Sequence, residues 1–329
     1  MAAILVTGGA GFIGSHLARA LSSGNEVVVL DDLSGGFVRN VPNGVFFVQT
    51  SITDHEAVER LFKKFKFQYV FHLAAYAAEG LSPFIRRFNY TNNLIGSINL
   101  INAAVRHKVK RLVFTSSIAV YGDSTPPFSE AQVPTPIDPY GIAKYAVELD
   151  LEAAHRMFGL EYTIFRPHNV FGPHQNIGDR YRNVVGIFMN QLLRGEPLSI
   201  FGTGTQTRAF SYIDEVVPCF TRCIDSHATE GQVYNVGGDT IYTVLELAEA
   251  CLRISGRGGK LAFLPERQEA KHAFADHRKA HRMFGAPAAR PLDEGLKVMW
   301  AWAEVLGPQE PSRFADIEVT ENLPAVYLP

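Results

Sequence analysis

The stretch that decides the fold is Ala3-Ile4-Leu5-Val6-Thr7-Gly8-Gly9-Ala10-Gly11-Phe12-Ile13-Gly14. It is a short apolar run that ends in glycines, and apolar residues at helical spacing follow in Phe12–Ser22. In such a turn Gly8 allows a tight bend, Gly11 lets a pyrophosphate approach the backbone, and Gly14 lets helix and strand pack closely. The amide donors at the helix N-terminus favour an anion. The stretch therefore predicts a dinucleotide site. A plain turn is the alternative, because the glycine pattern alone is weak.

Apolar strands and amphipathic helices alternate over residues 1 to about 170. This rhythm predicts an α/β fold, a Rossmann-type doubly wound parallel sheet. The predicted strands are Ile4–Val6, Val27–Leu30, Val45–Gln49, Tyr69–Leu73, Arg111–Thr115 and Tyr162–Arg166. The predicted helices are Phe12–Ser22, His55–Phe65, Tyr90–Arg106 and Tyr140–Phe158.

The rhythm changes after Arg166, where prolines and glycines interrupt the chain. The remainder predicts a smaller mixed α/β lobe that covers the mouth of the sheet. We therefore expect a dinucleotide-binding domain over residues 1–170 and a second lobe over 171–329. The boundary is soft, because such lobes often return a strand or helix to the first domain. Elements predicted in the lobe are Val184–Arg194, Leu198–Phe201, Phe210–Ile213, Val244–Ile254 and Asp293–Val305.

Composition limits the function classes. The 329 residues are 47% hydrophobic and 19% charged, with a net charge of −2, so no basic field points to nucleic acid. No apolar run is long enough to cross a bilayer, and the first residues lack the features of a signal peptide. Cys219, Cys223 and Cys251 have no nearby residues that would complete a metal site. We expect free thiols in a reducing cytoplasm and no metal.

A second motif supplies a candidate reaction. Tyr140 and Lys144, in Tyr140-Gly-Ile-Ala-Lys144, lie four residues apart and share a helix face. An ammonium beside a phenol is expected to lower the pKa of the phenol toward working pH, which suits general acid–base catalysis. Ser117, in Thr115-Ser116-Ser117, can hydrogen-bond the reacting oxygen. The alternatives are a turn tyrosine after Pro139 and a solvated helix lysine. Together with the glycine turn, the set predicts hydride transfer with proton exchange.

Two strand ends refine the dinucleotide site. Asp31 lies 17 residues after Gly14 and can accept both ribose hydroxyls, while it would repel a 2′-phosphate. This favours NAD over NADP. The small residues of His72-Leu73-Ala74-Ala75 suit close passage of the cofactor, although ordinary strand-to-loop packing explains each alanine equally well.

These motifs resemble the extended short-chain dehydrogenase/reductase family over essentially the whole chain. The glycine turn, the serines before Val120-Tyr121-Gly122 and Tyr-x-x-x-Lys follow the order of that family. Within it the sequence is most similar to nucleotide-sugar epimerases of the UDP-glucose 4-epimerase type. The resemblance implies that Ser117, Tyr140 and Lys144 are catalytic and that NAD is the cofactor. The cofactor-binding residues it implies are Gly8, Gly11, Phe12, Ile13, Gly14, Asp31, Ser51, Ile52, Leu73, Ala74, Ala75, Asn92, Tyr140 and Lys144.

Ile118 and Ala119 narrow the chemistry that the resemblance implies. Dehydratases of the family carry Asp-Glu at these two positions, and UDP-glucuronate decarboxylases place a Glu where Ala119 stands. GDP-mannose 3,5-epimerases and GDP-fucose synthases place a Cys there. Isoleucine and alanine supply no acid, base or thiol. What remains is hydride and proton exchange at one carbinol, which suffices for 4-epimerisation through a transient 4-keto sugar.

The resemblance also implies a UDP-sugar substrate. Its binding energy must lie on the nucleotide so that the sugar can rotate between the two hydride transfers. Asn169 and Arg208 match contacts to the diphosphate, and Phe201 matches an aromatic residue that stacks on uracil. The implied substrate-binding residues are Ser117, Asn169, Arg182, Asn183, Val184, Ser199, Phe201, Arg208, Arg267 and Glu269. Taken singly, each has an ordinary explanation as a core, turn or surface residue.

Three positions depart from many relatives. Ser51 stands where an Asp often contacts adenine, and Ala77 stands where epimerases acting on UDP-galactose often carry a lysine near the nicotinamide. Ala273 lies where side-chain size controls entry to the sugar pocket, and its small side chain leaves room for a larger sugar.

The sequence leaves the sugar open between the pair UDP-glucuronate/UDP-galacturonate and the pair UDP-glucose/UDP-galactose. Arg180 and Arg182 alternate, so in an extended segment they would share one face. One of them could bind a C6 carboxylate in a bidentate pair, and Arg182 is the better candidate because it adjoins Asn183. The alternative is that both pair with the diphosphate or with surface acids.

Two other functions stay open. One is an NAD-dependent nucleotide-sugar dehydrogenase or reductase that releases NADH, and the other is a non-catalytic NAD-sensing protein on the same fold. The resemblance further implies a homodimer built from the helices predicted over Tyr90–Arg106 and Tyr140–Phe158. The apolar residues at helical spacing there are Leu94, Ile98, Ile101, Ala146, Leu149 and Ala153. A stripe that faces its own sheet is the alternative, and a monomer by light scattering would count against the dimer.

Overall fold

The computed structural model of the protein describes residues 1–266, 270–287 and 290–327. Fourteen strands lie in these ranges: β1 Ala3–Thr7, β2 Glu26–Asp31, β3 Phe46–Gln49, β4 Tyr69–His72, β5 Arg111–Thr115, β6 Tyr162–Pro167, β7 Val170–Phe171, β8 Leu198–Phe201, β9 Thr207–Ala209, β10 Ser211–Tyr212, β11 Gln232–Val236, β12 Ile241–Thr243, β13 Leu261–Leu264 and β14 His272–Ala273. The helices are α1 Phe12–Leu21, α2 His55–Phe65, α3 Arg86–Tyr90, α4 Gly96–Arg106, α5 Pro139–Phe158, α6 Val184–Arg194, α7 Ile213–Arg222, α8 Val244–Ser255, α9 Arg278–Phe284 and α10 Leu292–Leu306.

Seven parallel strands form the central sheet, in the order β11-β6-β5-β4-β1-β2-β3. The sheet order steps outward from β1 in both directions, so the carboxyl ends of β1 and β4 lie side by side, with Thr7 opposite His72. Helices cover both faces, and two clusters of buried apolar side chains lie between the helices and the sheet. The predicted Rossmann-type fold is confirmed.

The second half of the chain contributes to this sheet. Strand β11 pairs with β6, with Val233 opposite Ile164, and helix α7 packs against α1. The rest of that half forms three small sheets, β12-β9-β14, β13-β8 and β10-β7. The strand predicted over Phe210–Ile213 is shorter, because a helix begins at Ile213. The carboxylate of Glu215 accepts a hydrogen bond from the backbone N–H of Tyr212 at 2.7 Å and caps that helix.

The helix predicted over Tyr90–Arg106 begins earlier and contains a π-helical turn at Thr91–Ile95, between α3 and α4. The inserted turn directs Asn93 into the protein. Its side chain accepts a hydrogen bond from the backbone N–H of Tyr76 at 2.8 Å and donates one to the carbonyl of Tyr76 at 3.1 Å. A local irregularity of this kind often marks a functional position. Here it fixes the loop that follows β4.

A buried ion pair joins α5 to the sheet. Arg166 on β6 and Glu148 on α5 are almost fully buried, and the Arg166 Nε donates to Glu148 Oε1 at 2.9 Å. Arg166 also donates to the hydroxyl of Tyr121 at 2.7 Å, which in turn donates to Asn235 at 2.9 Å. The hydroxyl of Ser116 donates to the same carboxylate. Each polar group of this buried cluster therefore has partners, as a low-dielectric interior demands.

The three cysteines are buried and unbonded to one another. Within the described ranges, no His, Cys, Asp or Glu side chains are grouped so that three could hold a metal ion. None of the helices in the described part of the chain has the length and apolarity needed to span a membrane.

Candidate functional site

The glycine turn forms a close-fitting backbone cradle at the carboxyl end of β1. Gly8 has a φ of +70°, and a Cβ there would lie 2.7 Å from the backbone nitrogen of Ala74. A Cβ on Gly14 would lie 2.1 Å from the carbonyl oxygen of Gly8. Only hydrogen fits at either position, so α1 begins directly against the strand. Backbone N–H groups at the start of α1 are then available to an anion.

Asp31 ends β2 next to this cradle. One of its carboxylate oxygens accepts from the backbone N–H of Ala10 at 3.0 Å, and the other accepts from Leu33 at 2.8 Å. Burial raises the pKa of Asp31, and these two hydrogen bonds oppose the rise. The carboxylate is therefore held rigidly at the cleft and keeps further lone pairs that could accept ribose hydroxyls. Cradle and carboxylate together fit the pyrophosphate and ribose of NAD.

One cleft of about 1460 Å³ contains both halves of the predicted site. Its volume exceeds that of an ordinary small-molecule pocket, which suits two nucleotide ligands side by side. The predicted cofactor residues that line it are Gly8, Gly11, Phe12, Ile13, Gly14, Asp31, Ile52, Leu73, Ala74, Ala75, Asn92, Tyr140 and Lys144. Ser51, also predicted to bind the cofactor, is not among the residues that line the cleft. Its hydroxyl accepts hydrogen bonds from the backbone and side chain of Thr53, while Thr50 and Ile52 line the cleft.

The predicted catalytic residues meet at the end of β5 and the start of α5. Asp138 caps α5 by accepting from the backbone N–H of Tyr140 at 2.9 Å, which fixes where the helix begins. The ammonium of Lys144 donates to the carbonyl of Thr115 at 2.8 Å and lies 5.8 Å from the centre of the Tyr140 ring. Ser117 hydrogen-bonds Tyr140. The structure thus brings all three predicted side chains together at one wall of the cleft.

Burial dominates the electrostatics of this group. Tyr140 is 7% exposed and Lys144 is 2% exposed. Burial raises the pKa of the Tyr140 phenol well above its ordinary range, and the hydrogen bond with Ser117 opposes that rise. Burial also lowers the pKa of Lys144 to about 7, against the charge of Glu148. The prediction that Lys144 lowers the pKa of Tyr140 is therefore wrong for the protein residues alone, because desolvation disfavours both charges.

The residues beside Ser117 carry no reactive group. Ile118 and Ala119 lie in a short 3-10 turn, are buried and line the cleft. An acid that the sequence argument missed is Glu79, which also lines the cleft and whose charge raises the pKa of Tyr140. It follows β4 by seven residues and belongs to no motif.

The predicted substrate residues that line the same cleft are Ser117, Asn169, Arg182, Asn183, Val184, Ser199, Phe201 and Arg208. Arg267 and Glu269 lie outside the described residues. Ala273 pairs with Arg208 between β14 and β9, so its side-chain position is tied to that arginine. Asn183 caps α6 by accepting from the backbone N–H of Val185 at 2.9 Å and donates to the carbonyl of Val170 at 2.7 Å. Its side chain therefore has a structural role as well.

The sequence argument missed a series of hydrogen bonds behind Asn169, because the hydrogen-bonded partners are more than 30 residues apart in sequence. His168 and His277 face each other with their Nε2 atoms 2.8 Å apart, and the Nδ1 of His277 lies 2.7 Å from Asp239. The other ring nitrogen of His168 and the amide of Asn169 both bond the carbonyl of Ala209. Burial lowers the pKa of His168 to about 3, so this imidazole is neutral. This series of hydrogen bonds fixes the backbone that carries Asn169 and Arg208.

Residues 178–182 form turns and bends rather than the extended segment that the alternation argument assumed, although Arg180 and Arg182 both line the cleft. The Nε of Arg182 lies 2.8 Å from the buried carboxylate of Asp179, and its guanidinium lies 4.7 Å from the ring centre of Tyr76. Arg182 is therefore already paired, with a buried acid rather than with the diphosphate or a surface acid. Arg180 lines the cleft and has no ion-pair partner among the described residues.

The buried charge of Lys144 gives a testable dependence of stability on pH. Its pKa is about 7 in the folded protein and about 10.4 in an unfolded chain. The unfolded chain therefore binds more protons between these values, so Lys144 destabilises the fold fully below pH 7 and progressively less toward pH 10. We expect Lys144→Met to raise the free energy of unfolding by about 2–4 kcal/mol at pH 6.5 and by clearly less at pH 9.5.

Urea unfolding at both pH values measures this difference. Lys297→Met, at an exposed position on α10, is the matched control and is expected to change stability little at either pH. A gain from Lys144→Met that is the same at pH 6.5 and pH 9.5 would contradict the buried-charge account.

Comparison with known proteins agrees with this geometry. A family model described as the NAD dependent epimerase/dehydratase family matches residues 4–237. UDP-glucuronic acid decarboxylase 1 of Xenopus tropicalis is 33% identical over 301 residues, which cover 89% of this chain and 70% of that protein.

Solved structures are similar over most of the chain. UDP-glucose 4-epimerase from Thermotoga maritima, with UDP-glucose, has a TM-score of 0.88 and 36% identity, covering 92% of this chain and 99% of that one. UDP-glucuronic acid 4-epimerase from Bacillus cereus, in complex with UDP-glucuronic acid and NAD, has a TM-score of 0.85 and 30% identity over the same shares. The chain therefore belongs to the NAD dependent epimerase/dehydratase family.

Proposed function

We propose that this protein is an NAD-dependent epimerase that inverts C4 of a UDP-sugar through a transient 4-keto sugar. The observation that carries the proposal is the meeting of Ser117, Tyr140 and Lys144 in the same cleft as the glycine cradle. When bound, NAD supplies the group that takes up and returns the hydride. UDP-sugar 4-epimerases among the solved structures lend support.

The residues of the chain handle the proton and the orientation of the substrate. Tyr140 takes the proton from O4 of the sugar and returns it after the sugar has turned over. Ser117 hydrogen-bonds Tyr140 and holds the reacting oxygen. To take that proton Tyr140 must be a phenolate, so the positive charge that bound NAD would bring has to offset the burial that raises the pKa of the phenol in the protein alone. Once protonated, Tyr140 is suited to donate to the 4-keto oxygen. Asn169, Phe201 and Arg208 hold the nucleotide and leave the sugar free to turn.

The alanine at position 119 is evidence against decarboxylation, another reaction of the family. One relative is a UDP-glucuronic acid decarboxylase, and the resemblance gives such enzymes a Glu where Ala119 stands. The methyl group of Ala119 cannot act as an acid or base. A dehydrogenase or reductase that releases NADH and a non-catalytic NAD-sensing protein are the other candidates. Net accumulation of free NADH would favour the first, and intact NAD binding without turnover would favour the second.

Turnover of a panel of UDP-sugars tests the proposal. The native protein is expected to invert C4 of at least one UDP-hexose, UDP-N-acetylhexosamine or UDP-uronate, read by NMR. Tyr140→Phe is expected to lower kcat by about 10²–10⁴-fold while NAD stays bound, because only the proton-transfer group is removed. Tyr145→Phe, on the same helix but outside the cleft lining, is the matched control. Near-native activity of Tyr140→Phe would refute the assignment.

For the sugar, we propose the pair UDP-glucuronate/UDP-galacturonate, with UDP-glucose/UDP-galactose as the alternative. A similar solved structure holds UDP-glucuronic acid. The sequence argument favoured Arg182 as the partner of the C6 carboxylate. The pairing of Arg182 with Asp179 makes Arg180 the better candidate, because its guanidinium is not already committed to a described acid. A bidentate pair of this kind is charge-assisted and strong.

Parallel assays on UDP-glucuronate and UDP-glucose distinguish the roles of Arg180 and Arg182. Arg180→Ala is expected to raise the KM for UDP-glucuronate about 10–100-fold, because one charged hydrogen-bonded contact to the carboxylate is lost. The KM for UDP-glucose, which has no carboxylate, is expected to stay within about twofold of the native value. Arg182→Ala is expected to weaken the binding of both substrates alike, since it leaves the buried carboxylate of Asp179 without its ion-pair partner. Selective loss with Arg182→Ala would restore the original assignment. A native protein inactive on the uronate would place it with the neutral-hexose enzymes.

The homodimer stays a prediction of the resemblance. Of the stripe residues, Ile101 is buried in the protein's own core, whereas Leu149 on α5 is 48% exposed. Ile142 on the same helix is also exposed, which supports a contact through α5. Light scattering that gives about twice the chain mass of 36.4 kDa would support the dimer.

A further inference from the structure

Beyond α10 the chain does not leave the protein but returns across the cleft. We call residues 307–327 the strap. Its first part is fixed to the substrate lobe. The backbone N–H of Gln309 donates to the side chain of Asn190 at 2.8 Å, and that side chain donates back to the carbonyl of Gln309 at 2.9 Å. The backbone N–H of Ser312 donates to the carbonyl of Gly178 at 2.7 Å.

The second part of the strap is fixed to the dinucleotide-binding domain. The carboxylate of Glu318 accepts hydrogen bonds from the backbone N–H groups of Arg87 and Phe88, at 2.7 and 2.8 Å. The backbone N–H groups of Glu318 and Val319 donate to the carbonyl of Phe84 at 2.8 and 3.2 Å. The strap therefore links the two halves of the molecule on either side of the cleft.

Aromatic side chains hold the strap in place between these two sets of hydrogen bonds. Phe314 packs edge-to-face against Phe88, with ring centres 4.8 Å apart, and lies 5.5 Å from the ring of Tyr76. The hydroxyl of Tyr181 accepts from the backbone N–H of Phe314 at 3.2 Å, and the rings of Tyr181 and Tyr327 are 5.1 Å apart. These contacts form a separate apolar cluster with buried residues of the loop after β4. Aromatic pairs of this geometry stabilise a contact beyond the area they bury.

The strap reaches the reacting end of the cleft through Tyr76 and Arg182. The guanidinium of Arg182 stacks over Tyr76, and its charge acts on both Tyr76 and Tyr140. Tyr327 also lies close enough to Tyr76 to raise the pKa of the Tyr76 phenol. Strap residues that line the cleft include Pro311, Val319, Glu321, Asn322, Val326 and Tyr327.

We propose that the strap forms one wall of the sugar subsite and determines which sugars it accepts. Glu321, Asn322 and Arg180 line the cleft. The first two carry a carboxylate and an amide, groups that bind sugar hydroxyls, and Arg180 carries a cation on the substrate lobe. The strap lies outside the family match, which ends at residue 237. UDP-glucose 4-epimerase from Thermotoga maritima is covered over 99% of its length but covers only 92% of this chain, so part of this chain has no counterpart in that structure. The inference rests on the proposed function, since it assigns the selectivity of that cleft.

Single substitutions in the NAD-bound protein test the strap without removing it, because deletion would expose the apolar cluster. Glu321→Gln changes only the charge that faces the cleft. Glu318→Gln loosens the anchor, because an amide NH₂ then meets one of the two backbone N–H groups. Glu310→Gln is the matched control, since Glu310 lies on the strap with its side chain 91% exposed.

The kinetic constants for UDP-glucose and UDP-glucuronate and the NAD content are measured for each variant. Glu321→Gln is expected to change the ratio of the two kcat/KM values at least fivefold. Glu318→Gln is expected to raise both KM values at least fivefold. Glu310→Gln is expected to stay within twofold of the native protein, and NAD content is expected to be unchanged in all three. If Glu321→Gln and Glu318→Gln both match Glu310→Gln, the inference is overturned.

Calorimetric binding of the same two UDP-sugars separates this inference from the proposed function. A native protein that binds the sugars without inverting C4 would overturn the proposed function alone, and the variants would then be compared by their dissociation constants with the same expected factors. A native protein that binds neither of these sugars and no UDP-N-acetylhexosamine would overturn both.

Discussion

The buried pair of Glu148 and Arg166 is the interaction on which the site depends. It ties α5, which carries Tyr140 and Lys144, to β6 in the centre of the sheet. The hydroxyl of Ser116, next to Ser117, bonds the same carboxylate. Removing one partner of such a pair leaves an unpaired buried charge and typically costs about 3–5 kcal/mol. The pair therefore sets the position of the proposed catalytic residues relative to the strand ends.

The same burial sets the chemistry of the cleft. In the protein without ligands the desolvated phenol has a raised pKa and is protonated, and the desolvated lysine has a pKa of about 7 and titrates near neutrality. Both groups therefore respond strongly to charge brought in by a bound ligand, because the surrounding dielectric is low. The glycine cradle, Asp31 and the residues proposed to bind the UDP-sugar line the same cleft as this pair. The proposed reaction needs this arrangement, in which both ligands meet at Tyr140.

The sequence predicted what depends on local patterns. The glycine turn, the alternation of strands and helices and the Tyr140/Lys144 spacing are all encoded within a few residues, and the structure has the expected turn, sheet and shared helix face. The π-helical turn at Thr91–Ile95 could not be predicted, because it follows from contacts of Asn93 with Tyr76 across the fold. The same holds for the His168–His277 pair and for the strap, whose partners are more than 100 residues away in sequence.

Two local arguments failed for physical reasons. The argument for Arg182 assumed an extended backbone, and the turn around Asp179 removes the alternation on which it rested. The argument for a lowered phenol pKa considered charge but not desolvation, which is larger here. A sequence identifies which residues are neighbours along a helix, but the depth at which they are buried depends on the whole packed structure.

The most direct test of the central claim follows the hydrogen at C4. A UDP-sugar substrate carrying deuterium at C4 is converted by the NAD-bound protein, and the C4 epimer is isolated and analysed by NMR and mass spectrometry. The account predicts that the epimer keeps the deuterium at C4, because the hydride returns to the carbon that it left. Deuterium that appears in free NADH, or its replacement at C4 by hydrogen from the solvent, would contradict the account.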